Sequence, residues 1–117
     1  MAENVIVVKS YNFAVKVVQF CFEMQGNIKE YVLSRQLLKS GTSIGANIEE
    51  AQGAISKAEF ISKIQISLKE AKETKYWVRL IIDTGIFNSA KADELLKDSS
   101  EIIVLLTSIL KTAKSNS

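Results

Sequence analysis

The sequence contains no histidine and no proline, a single cysteine and five glycines. Each shortage excludes something. Without histidine the usual general base is missing, and with it the serine and cysteine triads, nearly all zinc sites and the Glu-x-x-His di-iron bundles. No enzyme, cofactor or metal site is therefore expected. No Gly-x-x-x-x-Gly-Lys-Ser/Thr run is present, so there is no nucleotide P-loop. The lack of proline suits long helices, because an interior proline costs about 3 kcal/mol. Sheet-rich folds want more turn residues than five glycines supply. A lone cysteine, Cys21, cannot form an internal disulfide and fits a reducing cytoplasm. Its neighbours Val18, Phe20 and Phe22 predict a buried, inert thiol. The opening Met1-Ala2-Glu3-Asn4 lacks the basic region of a signal peptide. The longest apolar runs, Val5 to Val8 and Ile102 to Leu106, fall short of the ~20 residues that span a bilayer, and no membrane association is expected.

What is present fits one all-α domain. The chain has 117 residues, 47% of them hydrophobic and 24% charged, which is enough for a packed core and excludes a disordered chain. The net charge of +2 gives a single copy weak attraction for nucleic acid, which symmetric assembly would multiply.

Three punctuation points divide the chain. At Gln25-Gly26-Asn27, Gly26 can end a helix, and Asn27 can cap the next with Glu30 three residues on. At Gly53-Ala54-Ile55-Ser56, Ser56 and Glu59 have capping-box spacing, and Ile55 and Phe60 have staple spacing. At Thr84-Gly85-Ile86-Phe87-Asn88, Gly85 stops a helix, Ile86 can pack back on it and Asn88 can cap the next. Helices are predicted at about 10–25, 28–52, 57–84 and 89–114, with Ser10 as the first cap. The domain reading is an N-terminal arm over 1–9 and a bundle over 10–117. Val5-Ile6-Val7-Val8 can instead extend the first helix or add a short strand. Short turns between long helices predict an antiparallel up-down four-helix bundle.

Apolar periods supply the core. The last helix shows Ala92, Leu95, Leu96, Ser99, Ile102, Ile103, Leu106, Ile109, Leu110 and Ala113; the third shows Phe60, Ile64, Leu68, Ala71, Val78 and Ile82; the second shows Leu33, Leu37, Ile44, Ile48 and Ala51. The first helix has more apolar surface than one core needs. Val7, Tyr11, Ala14, Val18 and Cys21 form one stripe, with Phe13, Val17, Phe20 and Met24 beside it. Val104 and Leu105 also fall off the core stripe of their helix. Such a surplus predicts self-association.

Two groups are candidate sites. The first lies in Lys39-Ser40-Gly41-Thr42-Ser43-Ile44-Gly45-Ala46-Asn47-Ile48, where Gly41 and Gly45 share a helix face. Two interior glycines cost roughly 1 kcal/mol each against alanine. Close approach of a second helix is the favoured explanation, and a ligand groove the alternative. Gln36, Ser40, Ser43, Asn47 and Glu50 run alongside as a polar stripe suited to an interhelical network, a shallow pocket or a solvated face. The second group is cationic: Lys39 with Lys69, Lys72, Lys75 and Arg79, beside Tyr76 and Trp77. Lys72, Lys75 and Arg79 share one side and can grip phosphates, with the aromatics available to stack a base. The ordinary reading is a solvated face with Trp77 in the core or an interface. Lys69 is expected to pair with Glu73 at i, i+4. Glu70 and Glu73 are a weak acid–base signal, and two arginines, Arg35 and Arg79, are few for a mutase-like dianion pocket.

Over Gln36 to Ala51 the sequence resembles the 23S rRNA intervening-sequence protein family, whose pattern is met by Lys39, Ser40, Ser43, Ile44, Asn47, Ile48 and Glu50. The likeness continues through Lys9 to Val15, Ser56 to Phe60, Ser67-Leu68-Lys69-Glu70-Ala71 and Tyr76-Trp77. Glu49 stands where that family usually has a small residue, and Ala51 where it often has glycine. The resemblance implies an up-down bundle assembling as a ring, often a pentamer, with no established activity and no catalytic residue to carry over. A similar bundle is the accessory variability protein of diversity-generating retroelements, which binds nucleic acid and a reverse transcriptase. The expected partners are therefore further copies of the chain and RNA, DNA or a nucleoprotein, with a protein–protein scaffold as the alternative.

Overall fold

Helix boundaries follow from which backbone groups find a local partner. The computed structural model describes residues 2–116, with side-chain surroundings from residue 5 onward. Four helices are present: α1 Ala2–Ile28, α2 Val32–Gln52, α3 Lys57–Thr84 and α4 Ala90–Ser115. Among the described residues there is no strand.

The first helix starts earlier than expected. The stretch from Ala2 to Lys9, expected as an arm, is helical, and Met1 lies outside the described residues. The reason is burial: Ile6 is fully buried and continues the inward stripe of Phe13, Val17, Phe20 and Met24 by two turns. Ser10 is not a cap but an interior residue, buried, with its hydroxyl donating to the Val7 carbonyl at 3.2 Å. The stretch Val5–Ile28 is long and apolar enough to cross a membrane, yet it packs here as a core helix against α2 and α4.

The first turn also differs. Gly26 stays helical and α1 runs to Ile28. Lys29 takes the left-handed conformation, with φ 56°. The cap of α2 is then Glu30 rather than Asn27: its carboxylate accepts from the backbone N–H of Val32, Leu33 and Ser34 at 3.1, 3.1 and 2.9 Å. Three of the free N–H groups at that helix start are thereby satisfied, and the negative charge sits at the positive end of the helix dipole.

The second turn is close to expectation. Ser56 Oγ accepts from the Glu59 N–H at 3.0 Å, and the Glu59 carboxylate accepts from the Ile55 N–H at 3.1 Å. The staple is not formed, because Ile55 is 95% exposed. At the third turn Gly85 takes φ 66° and closes α3. Ser89, not Asn88, caps α4, accepting from the Lys91 N–H at 3.1 Å. Phe87, not Ile86, packs back on the core, with its ring edge-on to Phe20 at 5.5 Å.

The helices pack in a cycle, α1 on α2, α2 on α3, α3 on α4 and α4 on α1, in a body of 48 × 20 × 20 Å. The core stripe of α3 is Ile64, Ser67, Ala71, Thr74, Val78 and Ile81; Phe60, Leu68 and Ile82 are only half-buried on its flank. In α4 the buried set is Ala92, Leu95, Ser99, Ile102, Leu106 and Ile109. Two seams are fastened in different ways. Between α1 and α4 the fasteners are ion pairs: Lys9 with Glu101, Lys16 with Glu94 and Asp98, and Glu23 with Lys91. Numbers rise along α1 as they fall along α4. Between α2 and α3 two of the fasteners are buried hydroxyls, Ser67 and Thr74, described below.

Candidate functional site

The small residues of α2 lie where helices approach. A β-carbon on Gly41 would sit 2.8 and 2.9 Å from the two γ-methyls of Val17, well inside contact distance. One on Gly45 would sit 3.4 Å from the carbonyl oxygen of Ser10. Both glycines are buried. They let α1 lie close on α2, which is the packing explanation and leaves no groove at these positions.

The polar stripe divides. Ser40 is fully buried, and its hydroxyl oxygen lies 2.9 Å from that of Thr74 on α3. Thr74 Oγ1 is also 2.8 Å from the Glu70 carbonyl. Two turns earlier on α3, Ser67 Oγ donates to the Ile44 carbonyl at 2.9 Å. These are interhelical fasteners, and no buried side-chain nitrogen or oxygen among the described residues lacks a partner. Ser43 and Asn47 bond locally instead, Ser43 Oγ to the Lys39 carbonyl at 2.7 Å and Asn47 Nδ2 to the Ser43 carbonyl at 2.8 Å. Gln36 and Glu50 are exposed, and Glu50 pairs with Lys63 at 2.7 Å. Ser67 and Thr74 were not among the expected polar core positions. Their signal was present in the sequence: 64, 67, 71, 74, 78 and 81 step alternately by three and four.

The cationic group has a different environment. Lys39, Lys69, Lys72 and Arg79 are exposed and Lys75 is half-buried. Among the described residues, none of the five has a carboxylate within 4.0 Å, whereas Lys9, Lys16, Lys63 and Lys91 all do. The Lys16 pKa is raised, first by its hydrogen bond to Glu94 and then by that to Asp98. The expected Lys69–Glu73 pair is not made. The Glu73 carboxylate instead accepts from Trp77 Nε1 at 3.1 Å. Trp77 is half-buried against the core, while Tyr76, edge-on to it at 5.1 Å, is exposed. Tyr76 is thus the aromatic that solvent reaches beside the cations. Lys39 lies on α2 and the other four on α3, so the group spans two neighbouring helices.

Cys21 is buried, and desolvation pushes its thiol up to about 12. It is no thiolate nucleophile. Among the described residues no three histidine, cysteine, aspartate or glutamate side chains gather as a metal site would need.

A third surface was only partly anticipated. Of the two stripes read on α1, Phe13, Val17, Phe20 and Met24 point inward and are buried, as is Cys21 from the other stripe. The outward set is Val8, Tyr11, Val15, Val18 and Phe22; Val8, Tyr11 and Phe22 are each at least 60% exposed. The same alternation of three and four would have identified it.

Comparison with known proteins places this architecture. Residues 2–108 match the model of the 23S rRNA-intervening sequence protein family. A crystal structure from Bacteroides thetaiotaomicron, of a protein of unknown function from the S23 ribosomal protein family, superposes with a TM-score of 0.91 at 48% identity. The match covers 95% of this chain and 99% of that one. No curated protein matches the chain.

Proposed function

Since the chain belongs to the 23S rRNA-intervening sequence protein family, we propose that it is a non-enzymatic, self-associating bundle that binds nucleic acid, RNA before DNA, through the outer side of α3. The observation that carries this reading is the contrast in pairing. Lysines on the α1–α4 seam are paired with carboxylates, whereas, among the described residues, Lys39, Lys69, Lys72, Lys75 and Arg79 have none within 4.0 Å. Tyr76 adds an exposed ring on which a base can stack. The non-enzymatic part rests on the absence of histidine and on the inert Cys21 thiol.

We read the helices as an up-down antiparallel bundle, supported by the falling and rising numbers of the ion pairs between α1 and α4. Assembly as a closed ring, a pentamer by the family resemblance, would repeat the cationic side around an axis. Five copies would carry about +10, enough to act on a phosphate backbone. The likeness to the retroelement accessory bundle points the same way, and the unbridged Cys21 fits the cytoplasm.

The test is binding of a labelled structured RNA by fluorescence anisotropy across a salt series. The expected result is micromolar or tighter affinity near physiological salt, with a log–log slope of about 0.7–0.9 per neutralised phosphate. Replacing Lys72, Lys75 and Arg79 together by glutamate should abolish binding and leave the helicity intact. Unchanged binding would remove the site from α3.

The exposed outer side of α1 supports a second reading, a protein–protein scaffold. A partner that stays bound after nuclease treatment of a lysate would favour it.

A further inference from the structure

Tyr76 leaves α3 on the side away from the core. The positions two before and two after it, Thr74 and Val78, are buried, and at about 100° per residue the position between them faces outward. The ring is 53% exposed, yet it is not loose. Trp77 stands edge-on to it, with centroids 5.1 Å apart and planes at 71°. Trp77 is itself fixed twice, by packing on the core and by its Nε1–H donating to the Glu73 carboxylate at 3.1 Å. An edge-on neighbour covers at most one face of the Tyr76 ring, so the other face is left for a ligand.

Cations bracket that ring. Lys72 is four residues before Tyr76 and Arg79 three after, so the three share one strip of the helix, about 10 Å from end to end at 1.5 Å per residue. Both cations are exposed, and among the described residues neither has a carboxylate within 4.0 Å. Glu73, the carboxylate with the spacing to pair with Lys69, is engaged by Trp77 instead.

The shape of the bundle limits which form of nucleic acid can use the ring. α3 is flanked by α2 and α4 in a body 20 Å across. The major groove of B-DNA is about 12 Å wide and admits one helix, and that of A-form RNA is deep and too narrow for side chains to read. Neither groove receives a face this broad, so a duplex meets it only through phosphates. Inside a duplex each base is also covered on both faces by its neighbours in the stack. An unpaired base has a free face to offer.

We infer that the α3 site selects unpaired strands: one base stacks on Tyr76 while the phosphates on either side of it meet Lys72 and Arg79. The inference rests on the nucleic-acid reading proposed above and adds the form of the ligand. A structured RNA supplies such bases in its loops. Because Trp77 already holds the ring, little freedom is lost when a base lands on it.

The experiment is fluorescence anisotropy with a short labelled RNA that cannot pair with itself, used alone and annealed to its complement. The duplex carries twice the phosphates, so charge alone favours it. The unpaired form should nevertheless bind more tightly. Tyr76→Ala should weaken the unpaired form by about five- to hundredfold, the loss of one stacked base, and leave the duplex affinity and the salt slope where they were. Tyr76→Phe keeps the ring and should bind as the wild type does. Circular dichroism checks that both variants are folded. Tighter binding of the duplex, or a Tyr76→Ala effect that is absent or equal on the two forms, overturns the selection for unpaired strands while the phosphate contacts stand. A wild type that binds neither form overturns this inference and the nucleic-acid reading together.

Discussion

The methyl groups of Val17 occupy the place where Gly41 would carry a side chain, at 2.8 and 2.9 Å from that position. Val17 is fully buried and branched at its β-carbon, so it has no free rotamer to retreat into. Gly41→Ala is therefore expected to destabilise the fold by about 1–3 kcal/mol, the cost of overpacking, despite its better helix propensity. Gly45→Ala meets the Ser10 carbonyl and hydroxyl oxygens, both at 3.4 Å, which is ordinary contact. There the propensity gain should prevail, with a neutral to stabilising effect of up to about 1 kcal/mol. Urea unfolding of the two variants checks the pair. Equal effects would contradict the unequal approach of α1 along α2.

The hydroxyl pair Ser40–Thr74 joins α2 to α3 inside the core. Thr74→Val keeps the shape and removes the hydroxyl, so the expected loss is about 1 kcal/mol, the net value of one buried hydrogen bond. The same substitution at the exposed Thr107, which bonds only within α4, should change stability by less than about 0.5 kcal/mol. Parallel denaturation curves decide this.

Glu30 does the work of an N-cap from one residue outside the usual position. Glu30→Ala frees three backbone N–H groups at the start of α2 and should cost about 1 kcal/mol, as the loss of a conventional cap does. Asn27→Ala should have no measurable effect, since α1 runs through that position. Hydrogen exchange of the first turn of α2 would localise the loss.

Burial raises the Cys21 thiol from 9.0 to about 12 in the folded chain. Between those values the unfolded thiol has lost its proton and the folded one keeps it, so stability falls as pH rises. The slope approaches about 1.4 kcal/mol per pH unit in that window. Cys21→Ala should remove this slope at the price of a small cavity. Native protein at pH 8 should react with a thiol reagent far more slowly than protein in denaturant. Fast native labelling would contradict the burial.

Much of this fold was legible because its signals are local. Ser56 with Glu59, and Gly85 with its left-handed φ, announce themselves within a few residues. The four-helix division and most buried positions followed from apolar spacing. What was misread depends on distant neighbours. Ser10 looks like a cap until Ile6, one turn earlier, is seen to have a core to enter. Asn27 and Asn88 are sound caps in isolation, but the chain closes its turns with Glu30 and Ser89. Thr74 and Ser67 are missing from the stripe read on the third helix because their partners, Ser40 and the Ile44 carbonyl, lie on another helix. At the candidate site the cationic spacing was visible, whereas the diversion of Glu73 from Lys69 to Trp77 needed the packed structure.

The two seams also respond differently to dissolved ions. The pairs Lys9–Glu101, Lys16–Asp98 and Lys91–Glu23 lie at the surface, where electrolyte screens them over about 8–10 Å. The Ser67 and Thr74 bonds lie where no electrolyte reaches. Along α2–α3 salt reaches the Lys63–Glu50 pair but not the buried hydroxyl bonds, so brine should loosen the bundle more at the α1–α4 edge, as a book opens from its fore-edge while the spine holds.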